Sequence, residues 1–144
     1  MAYDADLART LSQIGRLEQS VAKLAEIPRK IAEDVAPEIN RLIQKQFSEG
    51  KDPYGRAWAP LKASTLKTGR KPPPLTDTRK MRDGTKVYVI RANYAGLRIV
   101  VGEPYGYFHQ VGTKNMKARP ILPQYGIPAA WKRALDESAR RVVR

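Results

Sequence analysis

The sequence predicts an α+β fold, in which an N-terminal helical hairpin and a C-terminal helix pack on a small, mainly antiparallel β-sheet. Two apolar stripes with helical spacing fill residues 1–50, and a third lies in residues 127–144. Between them, residues 51–126 hold a proline- and tryptophan-containing turn, a basic loop and two runs of β-branched residues. At 144 residues the chain has the length of a single domain, so we expect the three regions to form one unit.

The first stripe predicts a helix over about residues 4–26, because its apolar residues recur at steps of three and four. The stripe is as narrow as that of a coiled coil, so its partner is either a neighbouring helix of the same chain or a second copy. Pro28 stops or bends this helix, and a second stripe over 31–47 contains Pro37, so we expect a hairpin that ends at Gly50. The predicted subunit interface consists of Leu7, Leu11, Ile14, Leu17, Val21 and Leu24.

The stretch DPYGRAWAPL at residues 52–61 separates the helical part from the strands. Pro53 presets the backbone for a turn, and Gly55 supplies a positive φ close behind it. Trp58 and Leu61 offer more apolar surface than a surface loop needs. We therefore expect the tryptophan to point inward and to join the helices to the sheet.

The next segments are short helical turns and a basic loop. Residues 63–67 are typical of a single helical turn, and residues 76–78 form a cap for a short helix that runs through Met81. Three consecutive prolines exclude regular structure in 68–74, and the basic residues there keep the loop solvated. This loop either faces DNA or is an exposed linker.

Residues 86–91 and 97–102 predict two strands, with turn residues between them that favour an antiparallel hairpin. The aromatic segment 105–112 predicts one helical turn, or an irregular segment, with its rings packed on the sheet. Residues 118–123 predict a third strand at an edge, where proline is tolerated. Pro128 suits the first turn of the C-terminal helix.

The net charge of +13 is unevenly distributed. Residues 1–50 carry 7 basic and 8 acidic groups, whereas residues 51–91 carry 11 and 3, and residues 112–144 carry 8 and 2. This asymmetry indicates an anionic partner, although a solvated basic face is the alternative. The loop cations that we expect to face DNA or an acidic partner are Lys67, Arg70, Lys71, Lys114 and Lys117.

The composition argues against an enzyme, a metal site and a cofactor. The chain has no cysteine and a single histidine, His109, which lacks an acidic partner nearby in sequence and is expected to be a hydrogen-bonded structural residue. No apolar run is long enough to span a bilayer, and the N-terminus does not follow the signal-peptide pattern. The tyrosines near the strands suit either a stacking platform for single-stranded nucleic acid or packing, and packing is favoured because basic residues do not alternate with them.

Several short motifs, in this order and spacing, resemble those of the tailed-phage virion morphogenesis family, also called tail-completion or head–tail joining proteins. They are Phe47, DPYGRAWAPL with Ser64-Thr65-Leu66, the segment 75–81, FHQVG at 108–112 and ARPIL at 118–122, which together span about residues 30–135. The chain departs from the family pattern at Arg79 and Pro123, where the family usually has glycine. The expected structural motif residues are Asp52, Pro53, Gly55, Trp58, Leu61, Thr65, His109, Gln110, Gly112, Arg119 and Pro120.

The resemblance implies a structural subunit of the virion neck that forms a ring around the DNA channel, between the head connector and the tail. A hexamer is favoured and a dodecamer comes second. The implied partners are neighbouring neck or portal-connector proteins, tail terminator or tail tube proteins, and double-stranded DNA bound without sequence specificity. The protein would be in the host cytoplasm during assembly and in the virion neck afterwards. The alternative is a small basic DNA-binding protein that acts free of the virion.

Overall fold

The computed structural model describes residues 2–75, 79–91 and 95–144, and it confirms the α+β class. The elements in chain order are α1 (Ala2–Glu49), α2 (Ala63–Leu66), α3 (Lys80–Gly84), β1 (Lys86–Ile90), β2 (Gly96–Val100), α4 (Gly106–Val111) and α5 (Ala129–Val142). The predicted cap at 76–78 lies outside the described residues, as does most of the turn predicted between the strands.

The predicted hairpin is wrong, because α1 is one continuous helix of 48 residues that contains both Pro28 and Pro37. At about 1.5 Å per residue it is roughly 72 Å long. At 3.6 residues per turn, the mean direction of the six apolar residues in the N-terminal stripe agrees to within about 20° with the mean direction of the buried residues after position 31. Because the apolar face stays in phase, packing of the second half can offset the loss of one backbone hydrogen bond at each proline.

The core lies against the second half of α1. Its buried apolar residues come from that helix, the tryptophan turn, α3, the segment before α5 and α5 itself; they are Val35, Ile39, Ile43, Phe47, Trp58, Met81, Ile121, Trp131 and Ala134. The first half of α1 contributes none of them. Residues 4–30, which we call the arm, therefore extend about 40 Å from the body of the molecule.

Helix α5 covers one side of α1. The Ser138 hydroxyl donates to a carboxylate oxygen of Asp34 at 2.7 Å, and the Arg141 guanidinium donates to the same oxygen at 2.8 and 3.1 Å. The hydrogen bonds from Arg141 and Ser138 hold the pKa of Asp34 below its ordinary value. This cluster fixes the end of α5 beside the point at which the arm leaves the body.

The two strands pair antiparallel, as predicted, with Lys86 opposite Val100 and Ile90 opposite Gly96. The prediction of a third strand at 118–123 is wrong, because this segment follows an irregular path. Its backbone amides at Ile121 and Leu122 bond to a glutamine side chain instead of a neighbouring strand. None of the helices in the described ranges is long and apolar enough to cross a membrane.

Candidate assembly surfaces

Trp58 joins α1 to the rest of the body. Its side chain is 5% exposed, and its ring lies edge-on to Phe47 with 5.7 Å between centroids. The indole Nε1 donates to the Pro120 carbonyl at 2.8 Å, so the polar edge of the ring is satisfied as well. The structure thus places Trp58 inward, between the end of α1 and the Pro120 segment.

The loop before Trp58 is held by a buried carboxylate. Asp52 Oδ1 accepts hydrogen bonds from the backbone amides of Tyr54 and Arg56, both at 2.9 Å. Pro53 is buried beside it, and Gly55 has a φ of 88°, in the left-handed region that favours glycine. The turn residues expected from the sequence therefore set the path of the chain into Trp58.

Arg119 links the tryptophan turn to the end of the α4 region. Its Nε donates to the Ala59 carbonyl at 2.7 Å and its Nη2 donates to the Pro60 carbonyl at 2.9 Å. Its backbone amide donates to the His109 carbonyl at 2.6 Å. The forked donors of Arg119 thus hold two neighbouring backbone carbonyls of the tryptophan turn.

Gln110 acts as a connector between α4 and the Pro120 segment. Its Oε1 accepts from the Ile121 amide at 2.8 Å and from the Leu122 amide at 2.9 Å, while its Nε2 donates to the Leu122 carbonyl at 2.8 Å. Gln46 of α1 donates to the Ile121 carbonyl at 3.0 Å. Gly112 ends α4 with a φ of 78°, and a Cβ there would lie 2.9 Å from the Ala118 nitrogen.

His109 is half-buried, and its ring lies edge-on to Tyr105 with 5.9 Å between centroids. Burial lowers the pKa of His109, and the positive charge of Arg119 lowers it further. Its Nδ1 is buried, and no hydrogen-bond partner for it lies among the described residues. The expectation of a hydrogen-bonded histidine is therefore not met at this nitrogen.

A half-open groove of about 720 Å³ lies between the tryptophan turn, the basic loop and α4. Its lining brings together three of the predicted loop cations, Arg70, Lys71 and Lys117, with Lys62 and Arg119. No acidic residue is among the described residues that line it. Leu61 and Thr65, expected as motif residues, also line this groove, whereas Lys67 and Lys114 are exposed outside the lining.

Lys62 lines the groove but was not among the predicted loop cations. Its ammonium donates to the Asn115 carbonyl at 2.9 Å, a contact between residues 53 positions apart that no local pattern could indicate. Within the described part of the chain, no group of three or more acidic or histidine side chains is arranged to hold a metal ion.

The aromatic segment differs from its prediction. It forms α4, but Tyr107, Phe108 and Val111 lie on the surface at 50–67% exposure instead of packing on the sheet. We call these three side chains the α4 face. On the other side of the helix, Gly106 approaches Val101 closely, and the Tyr105 ring packs edge-on to His109. Tyr107 and Phe108 pack edge-on with 5.9 Å between centroids, so the α4 face is one continuous apolar surface.

The arm carries a second exposed apolar surface. The six apolar side chains predicted as a subunit interface are 46–64% exposed, and no other described part of the chain covers them. They are Leu7, Leu11, Ile14, Leu17, Val21 and Leu24. An apolar stripe of this length on a surface helix is typical of an interaction site.

The model of the phage virion morphogenesis family matches residues 6–138. The chain belongs to the phage virion morphogenesis family. This membership supports a structural or assembly role in the phage virion and confirms the resemblance on which the sequence motifs depended. The matched range includes the tryptophan turn, Gln110, Arg119 and most of the arm. Comparisons with curated proteins and with solved structures gave no match.

Proposed function

We propose that this member of the phage virion morphogenesis family is a tail-completion or head–tail joining subunit of the virion neck. Copies assemble head to tail into a ring, with six copies favoured and twelve as the second choice. The ring lies around the DNA channel, between the head connector and the tail tube or tail terminator. Its role is mechanical, and no catalytic step is required of it.

The exposed stripe of the arm is the observation that carries this proposal. Full burial of a Val, Leu or Ile side chain contributes about 1.5–3 kcal/mol, so covering six half-exposed ones contributes roughly 5–10 kcal/mol per arm. Association and side-chain ordering oppose this gain. A closed ring makes the same burial at every interface and leaves no arm uncovered, which favours it over the monomer.

The charge distribution supports a position near DNA. Residues 51–144 carry 20 basic and 6 acidic groups, and the groove collects cations from the basic loop and from the Lys117 loop. Contacts of this kind neutralise phosphates without reading base sequence. A channel through which any phage genome passes requires binding of this unspecific type.

A structural role also agrees with the surroundings of His109. Its imidazole lies against Tyr105 and near the Arg119 guanidinium, and its lowered pKa keeps it neutral at pH 7. Neither neighbour is a carboxylate that could orient the ring for proton transfer. We therefore assign His109 to the packing between α4 and the groove.

The decisive experiment compares Leu17→Asp with Gln19→Asp. Both place one carboxylate on the arm, but residue 17 lies in the apolar stripe and residue 19 on the opposite, polar face. We expect wild type and Gln19→Asp to form rings and to restore infectivity to particles that lack this protein. We expect Leu17→Asp to remain monomeric, with unchanged helix content by circular dichroism, and to leave heads and tails unjoined.

Ring assembly by Leu17→Asp at wild-type concentrations would contradict the proposal. A free DNA-binding protein, suggested by the net charge of +13, would behave differently. It would bind duplex DNA as a monomer or dimer with an affinity that falls steeply with salt, and it would be absent from purified virions.

A further inference from the structure

We propose that the arm of one copy packs on the α4 face of the next copy, with the acidic border of the arm beside Lys114. This inference specifies the interface of the proposed function and therefore depends on self-assembly. It names two different surfaces of the same chain and assigns each as the partner of the other.

The first argument is that both surfaces are apolar, exposed faces of helices. The stripe of the arm is one face of a helix, and the α4 face is also one face of a helix, with Tyr107 and Val111 four residues apart. Each is at least about half exposed in the single chain. Helices with such faces pack by interdigitation of their side chains, and aromatic residues are enriched in the cores of interfaces.

The second argument is that the two surfaces lie at opposite ends of the molecule. Gln110 holds α4 against Ile121, and Ile121 accepts a hydrogen bond from Gln46, near the C-terminal end of α1. At about 1.5 Å per residue, the centre of the arm lies roughly 45 Å from Gln46 along the helix. A straight arm therefore cannot cover the α4 face of its own chain. Two different patches at opposite ends produce a head-to-tail contact, which closes into a ring when the rotation allows it.

The third argument is charge. On a helical projection, Asp6 and Glu18 lie within about 70° of the centre of the apolar stripe, whereas Arg9, Arg16 and Lys23 lie more than about 120° from it. Arg29 also lies at about 70°, but it comes five residues after Leu24, the last residue of the stripe. The stripe is therefore bordered by negative charge. Lys114 is exposed in the loop that follows α4, three residues after Val111, whereas Lys117 in the same loop lines the groove.

This arrangement disfavours the pairing of two arms. In such a pair, the acidic borders of both copies would lie around the same contact and repel each other. Beside the α4 face the same borders meet Lys114. Charge complementarity therefore selects the body of a neighbouring copy over its arm.

Cysteine cross-linking tests the contact directly, because the chain contains no cysteine. The double variant Leu11→Cys/Phe108→Cys is oxidised at the concentration at which wild type forms oligomers. We expect a ladder of cross-linked multimers that ends at the copy number of the ring, since each copy contributes one arm and one α4 face. The control Gln19→Cys/Phe108→Cys, with its arm cysteine on the polar face, should give no ladder.

The single variants identify the partner. Mixed Leu11→Cys and Phe108→Cys proteins should give one dimer band that contains one of each. Leu11→Cys alone should give none. A dimer of Leu11→Cys with itself, without the mixed product, would show arm-to-arm pairing and would overturn the inference.

Charge reversal gives a second, independent measurement. We expect Asp6→Lys/Glu18→Lys to raise the concentration for half-assembly at least about tenfold, and Lys114→Glu to raise it as well. Combining all three changes should restore assembly to within about threefold of wild type. Additive losses without restoration would contradict the assigned charge contact.

The outcomes separate the inference from the function on which it depends. Wild-type rings without the Leu11–Phe108 cross-link would overturn the inference and leave the proposed neck role in place. A wild-type protein that stays monomeric and is missing from virions would overturn both.

Discussion

Replacement of Trp58 by alanine tests the joint between α1 and the rest of the body. The indole ring is buried against Phe47 and donates to the Pro120 carbonyl at 2.8 Å. Loss of a buried tryptophan leaves a cavity and typically destabilises a protein by about 3–5 kcal/mol. Because the total stability of a domain is about 5–15 kcal/mol, this one change removes a large part of it.

A graded series separates the contributions. Trp58→Phe keeps an aromatic ring against Phe47 but loses the donor to Pro120, so we expect a smaller loss of about 1–3 kcal/mol. Tyr125→Ala removes a side chain that is 81% exposed, and it should change the free energy of unfolding by less than about 0.5 kcal/mol.

Urea unfolding at a protein concentration below that of assembly measures these values without a contribution from oligomers. With a slope of about 2 kcal/mol per molar urea, Trp58→Ala should lower the midpoint by roughly 2 M. The thermal midpoint should fall by about 10 °C or more for a chain of this size. A loss below about 1 kcal/mol for Trp58→Ala would refute the role of this ring as the joint.

Three further predictions concern polar groups. Arg119→Lys should lower the free energy of unfolding by about 1–3 kcal/mol in urea, because the Ala59 and Pro60 carbonyls lose a forked donor, whereas an unchanged midpoint would contradict this. Because the folded-state pKa of His109 lies below its unfolded value, stability should fall as the pH drops below about 6.5, and His109→Gln should flatten that part of the profile. The pKa of Asp34 is also lowered in the folded state. The stability that Asp34 contributes is therefore present at pH values above its unfolded pKa of 3.8 and is lost as the pH falls through its folded pKa. Asp34→Asn should remove this loss, which unfolding curves between pH 2 and 5 would show.

Short sequence patterns correctly predicted the elements that depend on residues close together in the chain. The β-branched runs gave the strand pair, and the spacing of apolar residues gave α5 and the exposed stripe of the arm. The inward position of Trp58 followed from an apolar surface larger than a surface loop needs. In each case the deciding residues lie close together, within one segment of the chain.

The errors arose where distant contacts decide the structure. Pro28 and Pro37 locally favour a break in α1, but the packing of residues 31–47 on α5 and the sheet maintains one helix. The prediction of a third strand was wrong because the amides of Ile121 and Leu122 donate to the side chain of Gln110, which is more than ten positions away.

The groove could be predicted only in part. The sequence shows the basic loops as clusters of charge. Their convergence on one groove depends on long-range contacts, such as the hydrogen bond from Lys62 to the Asn115 carbonyl. The exposure of the α4 face depends on Gly106, which lets the opposite side of that helix approach Val101. Neither contact leaves a periodic signal in the sequence.

Pro28 lies where the arm meets the body, and its nitrogen carries no hydrogen to donate to the Leu24 carbonyl. The helix is therefore softest at this point and stiff on either side of it. The inclination of the arm is then set by whatever surface it rests on, not by the helix itself. In the neck ring that we propose, identical subunits adjust to partners of different diameter by bending at this one joint, without unfolding.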